Sequence, residues 1–478
     1  MKLAELQGRL DGVLGERIEA VVSNHHKRRL RRLGHEPWGK SGGWAAEAPP
    51  PRTGNSFESL VDGDAALGRI ATEIEAAETS VFLAGWFFSA DFRLQGNGLD
   101  TLARLLGRAA ERVDVRILAW AGAPLPLFRP ARREVRQVRD DIVRGTRIRM
   151  ALDAKERPFH CHHEKLVIVD GTVAYVGGLD LTAKSGDRLD SSEHPARGAM
   201  GWHDVAARIR GPAVGDVARH FRLRGQEVAG EPMPPPLDPS PAGDVELQVV
   251  RTVPERIYKQ LPKGEFSVLE SYLRALTAAK RLIYLENQFL WSPEIVTVLA
   301  EKLSNPPDDR FRLLVVLPSR PNTGVEDTRG QLGVLAAADD GEHRFLACTI
   351  LQRGPGARPV YVHAKVGIVD DEWLTIGSAN LNEHSLFNDT EMNVVTHDPA
   401  AARDLRLRLW SEHLELKPEE IDGDPTAVID SVWRTIAFEQ LERHQRGEPP
   451  THRLLRLPNV SRRVEALRGP ISGLLVDG

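Results

Sequence analysis

One motif occurs twice with its surroundings in step, and this repeat restricts the fold more than any other feature. His163-Glu164-Lys165-Leu166-Val167-Ile168-Val169-Asp170 returns as His363-Ala364-Lys365-Val366-Gly367-Ile368-Val369-Asp370. A single His-x-Lys-x4-Asp pattern arises by chance in roughly one chain in forty of this length and composition, so one copy would carry little weight. Two copies with matching tails carry far more. Gly178 and Asp180 stand fifteen and seventeen residues after His163, and Ser378 and Asn380 stand at the same distances after His363. Small and polar groups at fixed distance from each histidine suit a shared phosphate cradle.

The elements ahead of each motif repeat as well. Leu67, Ile70 and Ile74 have helical spacing within residues 64–80, and residues 81–86 read as a buried strand. Later, Ser267 opens a helix with Glu270 placed for a capping box, Leu269, Leu273 and Leu276 follow, and residues 283–288 read as the matching strand. A helix over 100–112 leads into a strand over 113–120; Ser292-Pro293 caps a helix that leads into a strand over 311–317. A further strand is expected in each copy, at 148–152 and 345–351. Trp86 precedes His163 by 77 residues and Gln288 precedes His363 by 75, so two copies of one α/β unit are implied. The prolines between Pro232 and Pro241 block helix and sheet interior alike and mark a linker. The expected layout is an amino-terminal helical extension (1–55), a first half (56–231), the Pro-rich linker (232–243), a second half (244–415) and a helical appendage (416–478).

His and Lys two residues apart on a strand point to one face while apolar neighbours anchor the other. A phosphodiester is a poor electrophile with a poor leaving alkoxide, so cleaving it without a metal takes a nucleophile, a proton and cations for the nonbridging oxygens. His163, Lys165, His363 and Lys365 supply all of these. Each copy then offers a carboxylate among apolar residues, Asp204 and Glu391. Such a carboxylate, accepting the Nδ1 proton of a histidine, fixes its tautomer, favours its charged form and leaves Nε2 to act. Asp170 and Asp370 close the motifs and join the candidate catalytic set, although a structural hold facing away from the phosphate suits their position better. Gly178, Asp180, Ser378, Asn380, Gln288, Trp86 and Trp202 are the candidate substrate-binding residues.

Composition narrows the class. Lys+Arg at 63 against Asp+Glu at 67 leaves a net charge of -4, which calls for no polyanionic partner. Arginines cluster locally around 27–32 and 129–149, as solvated helix faces do. Two cysteines, Cys161 and Cys348, are too few for a disulfide framework and fit a reducing compartment. Charge from Lys2 to Arg17 interrupts the start of the chain, unlike a secretion signal, and no stretch is apolar enough to span a bilayer. The expected location is cytoplasmic, with peripheral membrane contact left open. His160-Cys161-His162-His163 contains metal-binding types, but neighbours on a strand face opposite ways and no second cluster follows at ligand spacing. No metal and no cofactor are expected.

The stretches 163–181 and 361–395, with Gly177-Gly178-Leu179-Asp180 and Gly377-Ser378-Ala379-Asn380, resemble the two signature motifs of the phospholipase D superfamily, and the likeness extends over about residues 55–415. Residues 283–289 and the run from Trp202-His203-Asp204 to Gly211-Pro212-Ala213-Val214 resemble the phosphatidylcholine-type enzymes more than the cardiolipin synthases. The resemblance implies an α/β fold of two pseudo-twofold-related α/β/α sandwich halves. Each would be a mixed sheet flanked by helices, with the active site at their interface. It also implies a phosphohistidine intermediate, a phospholipid substrate at a membrane surface, water or an alcohol as acceptor, and no obligatory protein partner. A nuclease acting on DNA or RNA, or a cardiolipin synthase-like phosphatidyltransferase, is the alternative, because the same residues cleave any phosphodiester. Residues 184–200 depart from the resemblance: the segment is some 13 residues longer than its second-half counterpart and lacks the expected Gly-Arg-Tyr-Asp run.

Overall fold

Runs of β-branched and apolar residues with both faces covered form the inner strands, and the repeat sets their order. The computed structural model describes residues 20–457 except 96–99, 125–128, 158–159, 183, 185, 187, 196–199, 231, 236–237, 323–324 and 354–357. Residues 1–19 of the expected extension, 458–478 of the expected appendage and two linker positions thus lie outside the described residues.

The first half contributes β1 (Arg52–Val61), β2 (Ser80–Gly85), β3 (Asp114–Trp120), β4 (Arg149–Asp153), β5 (Leu166–Val169), β6 (Val173–Gly177), β7 (Gly201–His203) and β8 (Val205–Arg210). The second contributes β9 (Val245–Val253), β10 (Glu265–Phe266), β11 (Leu282–Glu286), β12 (Arg312–Val316), β13 (Phe345–Ile350), β14 (Val360–Val362), β15 (Val366–Val369), β16 (Trp373–Gly377) and β17 (Glu391–Thr396). A last strand, β18 (Leu454–Arg456), adds to the edge beside β13.

Read outward from the centre, one half runs β1-β8-β6-β5-β2-β3-β4 and the other β9-β17-β16-β15-β11-β12-β13, the same order twice. In each, three strands are parallel (β2, β3, β4 and β11, β12, β13) and the rest antiparallel, which makes both sheets mixed. The two sheets are not separate. β1 pairs with β9 through Arg52↔Leu247 and Asn55↔Val245, with a break in register between, so the described residues form one 16-stranded sheet.

The helices repeat in the same way: Asp62–Ala76, Leu102–Ala110, Arg132–Val143 and Ala213–Ala229 are followed by Ser267–Ala278, Pro293–Ser304, Val325–Asp339 and Pro399–Leu414. On one side of the sheet a single core runs through both halves, from Phe82, Ile168 and Phe221 to Tyr284, Ile368 and Trp410. On the other side each half keeps its own core, around Ile70, Leu83 and Leu106 in the first and Leu273, Ile283 and Leu299 in the second. Burial of each such side chain stabilises the fold by about 1.5–3 kcal/mol.

Two local expectations are corrected. The first helix spans Asp62–Ala76, earlier than 64–80. The capping box at Ser267 does not form: Ser267 Oγ is drawn to Arg251, accepting from its N–H at 2.8 Å, while Glu270 accepts from the Ala46 and Glu47 N–H groups at 3.0 and 3.3 Å. Tertiary partners outbid the local ones. Ser292 does cap its helix, accepting from Ile295 N at 3.5 Å.

Candidate active site

Each motif is anchored to the opposite half. His163 and Glu164 donate their backbone N–H groups to the Thr390 carbonyl at 2.9 and 3.0 Å, and His363 and Ala364 donate theirs to the His203 carbonyl at 2.8 and 3.2 Å. Parallel pairing of β14 with β7 and the parallel bridge between His162 and Thr390 are the two copies of this crossing. Both His-Lys pairs stand just before their strands, not within them as expected, because their backbone groups are spent on the crossing. Side chains still alternate. Glu164 turns away from the site to Arg224 and to His220 Nε2 at 2.8 Å.

The crossing exchanges carboxylates. His163 Nδ1 lies 2.9 Å from Glu391 Oε1, and His363 Nδ1 lies 2.7 Å from Asp204 Oδ2. Lys165 Nζ donates to the His163 carbonyl at 2.7 Å and lies 3.3 Å from Asp180 Oδ2. Lys365 Nζ donates to the His363 carbonyl and to Gln288 Oε1 at 3.3 Å. All four motif residues are at most 5% exposed.

Burial governs the charges. It pushes Asp204 up to about 6 against the pull of Lys365 and Arg188, and raises Glu391 well above the carboxylate range. Burial also lowers Lys365 to about 7. His363 is held well below the ordinary imidazole value by burial first, then by Lys365, Arg188, Lys165 and His163. That ordering places both motifs in one electrostatic neighbourhood. It also runs against the expected preference, because burial first and the surrounding cations second disfavour the charged form of His363.

The other candidates divide. Trp202 stacks on Tyr361 at 4.8 Å and tilts against His363 at 4.9 Å. Gln288 joins this wall, donating to Tyr361 Oη at 2.8 Å. Asn380 is fully buried, and neither polar atom of its amide has a hydrogen-bond partner; Asp180 Oδ1 is likewise unmet. Such unmet buried groups are costly and suit a polar ligand. Ser378 is occupied instead: its hydroxyl donates to Glu391 and accepts from Met392 N at 3.1 Å, so it steadies a carboxylate. At the equivalent Gly178 a Cβ would come within 2.2 Å of Asp204 Oδ1. Trp86 packs on Trp120, with Cys161 in the same cluster, beside the lead-in to His163.

Asp170 and Asp370 are not brought to the site, which corrects their grouping with the catalytic candidates. Each sits past the far end of its four-residue strand, about 15 Å along the chain from the Lys. Asp170 accepts the N–H groups of Glu78, Thr79 and Ser80, and Asp370 those of Lys280, Arg281 and Leu282.

A profile of the family described as Phospholipase D matches residues 352–455, which hold the whole second motif and Glu391. Phospholipase D A of Dictyostelium discoideum is 26% identical over 474 residues, an alignment covering 77% of this chain and 36% of that protein. These matches support membership of the phospholipase D superfamily. Other superfamily relatives match at similar depth. Phospholipase D2 of Bos taurus is 24% identical, covering 73% of this chain and 50% of its own. The major cardiolipin synthase ClsA of Bacillus subtilis is 25% identical, covering 73% and 67%. The chain thus spans about a third to two thirds of the length of these relatives. Its fold is also that of the crystal structure of phosphatidylserine synthase from Haemophilus influenzae Rd KW20, with a TM-score of 0.52 and 13% identity over 87% of this chain and 98% of the other. Among the described residues no helix is long and apolar enough to cross a membrane.

Sequence reasoning missed Arg188. Its guanidinium lies 3.5 Å over the Trp202 ring, is buried, and leaves Nε and Nη1 without hydrogen bonds. The segment that carries it, 184–200, is some 13 residues longer than its second-half counterpart, so the repeat offered no matching position to point to it. Ser385, whose hydroxyl donates to Glu391, was also passed over.

Proposed function

We propose that this chain is a phosphodiesterase that hydrolyses the headgroup-side phosphodiester of glycerophospholipids such as phosphatidylcholine, or transfers the phosphatidyl group to an alcohol, through a phosphohistidine intermediate. The observation that carries this reading is the exchange of carboxylates between halves, which holds each imidazole by its Nδ1 and so orients the Nε2 atoms of His163 and His363 for chemistry.

Neutral His163 attacks phosphorus through Nε2, forming the P–N bond as the P–O bond to the headgroup alcohol breaks. His363, as imidazolium, gives that alcohol its proton. His363, now neutral, then takes a proton from water or an acceptor alcohol, whose oxygen displaces His163. Lys165, Lys365, Arg188 and the unmet Asn380 amide hold the nonbridging oxygens, at about 2–4 kcal/mol per well-placed donor in the transition state. An arriving phosphodiester anion offsets the cations that hold His363 neutral, so substrate binding itself favours the proton that the acid needs.

A lipid substrate is favoured by the mild net charge, which suits a long polyanion poorly, and by relatives named phospholipase D and cardiolipin synthase. The last of these names also favours alcohol acceptors. The site would then meet its substrate from a membrane surface.

The test is to incubate the chain with phosphatidylcholine vesicles plus ethanol and, in parallel, with single-stranded DNA. Choline and phosphatidylethanol are the expected products; cleavage of DNA alone would overturn the lipid assignment. Acid quenching should trap a phosphatidyl adduct on His163. An adduct that persists in His163→Asn but is absent from His363→Asn would reverse the roles of the two histidines.

A further inference from the structure

Beside the paired motifs lies a second buried cluster that phosphodiester chemistry does not use. Asp62, His194, His203 and Glu412 bring one donor atom each to within 4.8 Å of one another, and all four residues are buried. His203 Nδ1 is 2.9 Å from Asp62 Oδ1 and 3.1 Å from Glu412 Oε1. His194 Nε2 is 3.0 Å from Glu412 Oε1 and 3.6 Å from Asp62 Oδ2. A tetrahedral ion with ligands at about 2.0–2.2 Å sets neighbouring donor atoms roughly 3.3–3.5 Å apart, within the range found here.

Hydrogen bonding accounts for only part of the arrangement: His194 Nε2 is hydrogen-bonded to Glu412 Oε1 at 3.0 Å, and Asp62 Oδ1 accepts the Asp204 N–H at 3.1 Å. His203 Nδ1, Asp62 Oδ2 and Glu412 Oε2 are shielded from solvent, yet none makes a hydrogen bond. The outward-facing nitrogens tell the same story: His203 Nε2 lies 2.8 Å from Glu286 Oε2, and His194 Nδ1 lies 2.9 Å from Asp190 Oδ2. A carboxylate behind each ring is the usual way a metal-binding imidazole is oriented. Asp62 also holds a left-handed backbone with φ 63°, an unusual cost for an aspartate that needs a local return.

We propose that Asp62, His194, His203 and Glu412 hold one zinc ion in a closed, structural site. Two imidazoles and two carboxylates match the donor preference and the charge of zinc, and four protein ligands leave no open position for substrate. The ion ties the long 184–200 segment and the helix Pro399–Leu414 of the second half to the start of the first. It also braces the site. The His203 carbonyl accepts the His363 N–H at 2.8 Å, and Asp204, which faces His363, accepts the Asp62 N–H at its carbonyl at 2.7 Å and donates its own N–H to Asp62 Oδ1 at 3.1 Å.

The full chain, expressed in zinc-supplemented medium and dialysed against EDTA, should carry about one zinc per chain by elemental mass spectrometry, because the buried ion exchanges slowly. Unfolding in guanidinium with a chromophoric chelator should release it. Glu412→Gln and His194→Ala should each fall below about a tenth of that content and melt at lower temperature. His384→Ala, in the neighbouring group of His160, His384 and Asp389, should keep its zinc. If the cluster variants do not fold, the zinc content of the unaltered chain and its release on unfolding still decide. An unaltered chain with only trace zinc, or zinc lost in His384→Ala and retained in Glu412→Gln, would overturn the proposal. Neither result bears on phosphodiester cleavage, which the vesicle assay tests separately.

Discussion

His163 Nδ1 lies 2.9 Å from Oε1 of Glu391, a residue 228 positions further along the chain. The mirror pair, His363 and Asp204, is separated by 159. Each histidine is therefore oriented by the half it does not belong to, and the backbone crossings at Thr390 and His203 fix that exchange. Neither half can assemble an oriented imidazole alone. This gives a physical reason for both copies to remain in one chain, fused through β1 and β9 into a common sheet.

Glu391→Gln should lower kcat by about a thousandfold with little change in KM. An amide can donate to Nδ1 and stabilise the wrong tautomer, and it removes the countercharge that an imidazolium needs. The Ser378 hydroxyl would still find the amide oxygen, and the Ser385 hydroxyl can turn to accept from the amide nitrogen, so the circular dichroism spectrum should not change. Steady-state kinetics on phosphatidylcholine vesicles measures this; a loss below about tenfold would mean that the carboxylate does not orient His163.

Gly178→Ala tests the other carboxylate without touching it. A Cβ would come within 2.2 Å of Asp204 Oδ1, so the carboxylate must turn away from His363. The expected result is a fall in kcat of about 10- to 100-fold with a stability loss of about 1–3 kcal/mol from overpacking. Gly68→Ala is the control, in a helix where an added Cβ meets nothing within 4 Å. It should be neutral or stabilising by up to about 1 kcal/mol.

Arg188→Ala should raise KM and lower kcat/KM by about 2–4 kcal/mol in transition-state terms, if its two unmet N–H groups meet the phosphate. Arg188→Lys should rescue little, since an ammonium cannot both lie flat on Trp202 and present a planar fork. Rescue to near the unaltered rate would reduce Arg188 to a diffuse charge.

What could be read from the chain follows the repeat. The strands, the parallel triplets and the helices alongside them recur in step, so their periodicity showed twice, and the spacing from His163 to Asp204 and from His363 to Glu391 brought candidate carboxylates into view. Features without a second copy were hidden. Arg188 stands in a segment some 13 residues longer than its counterpart in the other half. Asp62 and Glu412 are 350 positions apart with no local pattern to join them, although the structure sets both beside His203. The pairing of β1 with β9 depends on two edge strands meeting, and edge strands carry no local signature of their partner. Ser267 and Glu270 show the opposite failure: a sound local signal was overruled by Arg251 and by the backbone at Ala46 and Glu47.

Activity should depend on pH differently for free and substrate-bound protein. Burial and the cations Lys365, Arg188 and Lys165 depress the His363 pKa in the unliganded site. If protonated His363 is the acid, the alkaline limb of kcat/KM should fall below about 6.5. Once a phosphodiester anion offsets those cations, the limb of kcat should lie higher than that of kcat/KM. Arg188→Ala removes one of the depressing charges and should move the kcat/KM limb upward. Coincident limbs in both profiles would show that the anion does not tune His363.

Asp170→Asn should cost stability and leave the specific activity of the folded protein unchanged. Burial works against charge on Asp170, but the N–H groups of Ser80, Thr79 and Glu78 outweigh it and hold the carboxyl below its usual range. Three N–H groups at the start of β2 thereby share one carboxylate that turns in from a left-handed residue, φ 52°. Asparagine keeps the turn and one acceptor but loses the charge, so the cost, discounted for partial exposure, is about 1 kcal/mol at neutral pH. Because the folded pKa is depressed, that contribution is present above the unfolded value near 3.9 and disappears as pH falls through the folded one. Denaturation midpoints of Asp170→Asn and the unaltered chain should therefore differ at pH 7 and converge in acid. A gap that persists in acid would show that shape, not charge, is what the strand end requires, while a fall in kcat would put Asp170 back among the residues that act on the phosphate.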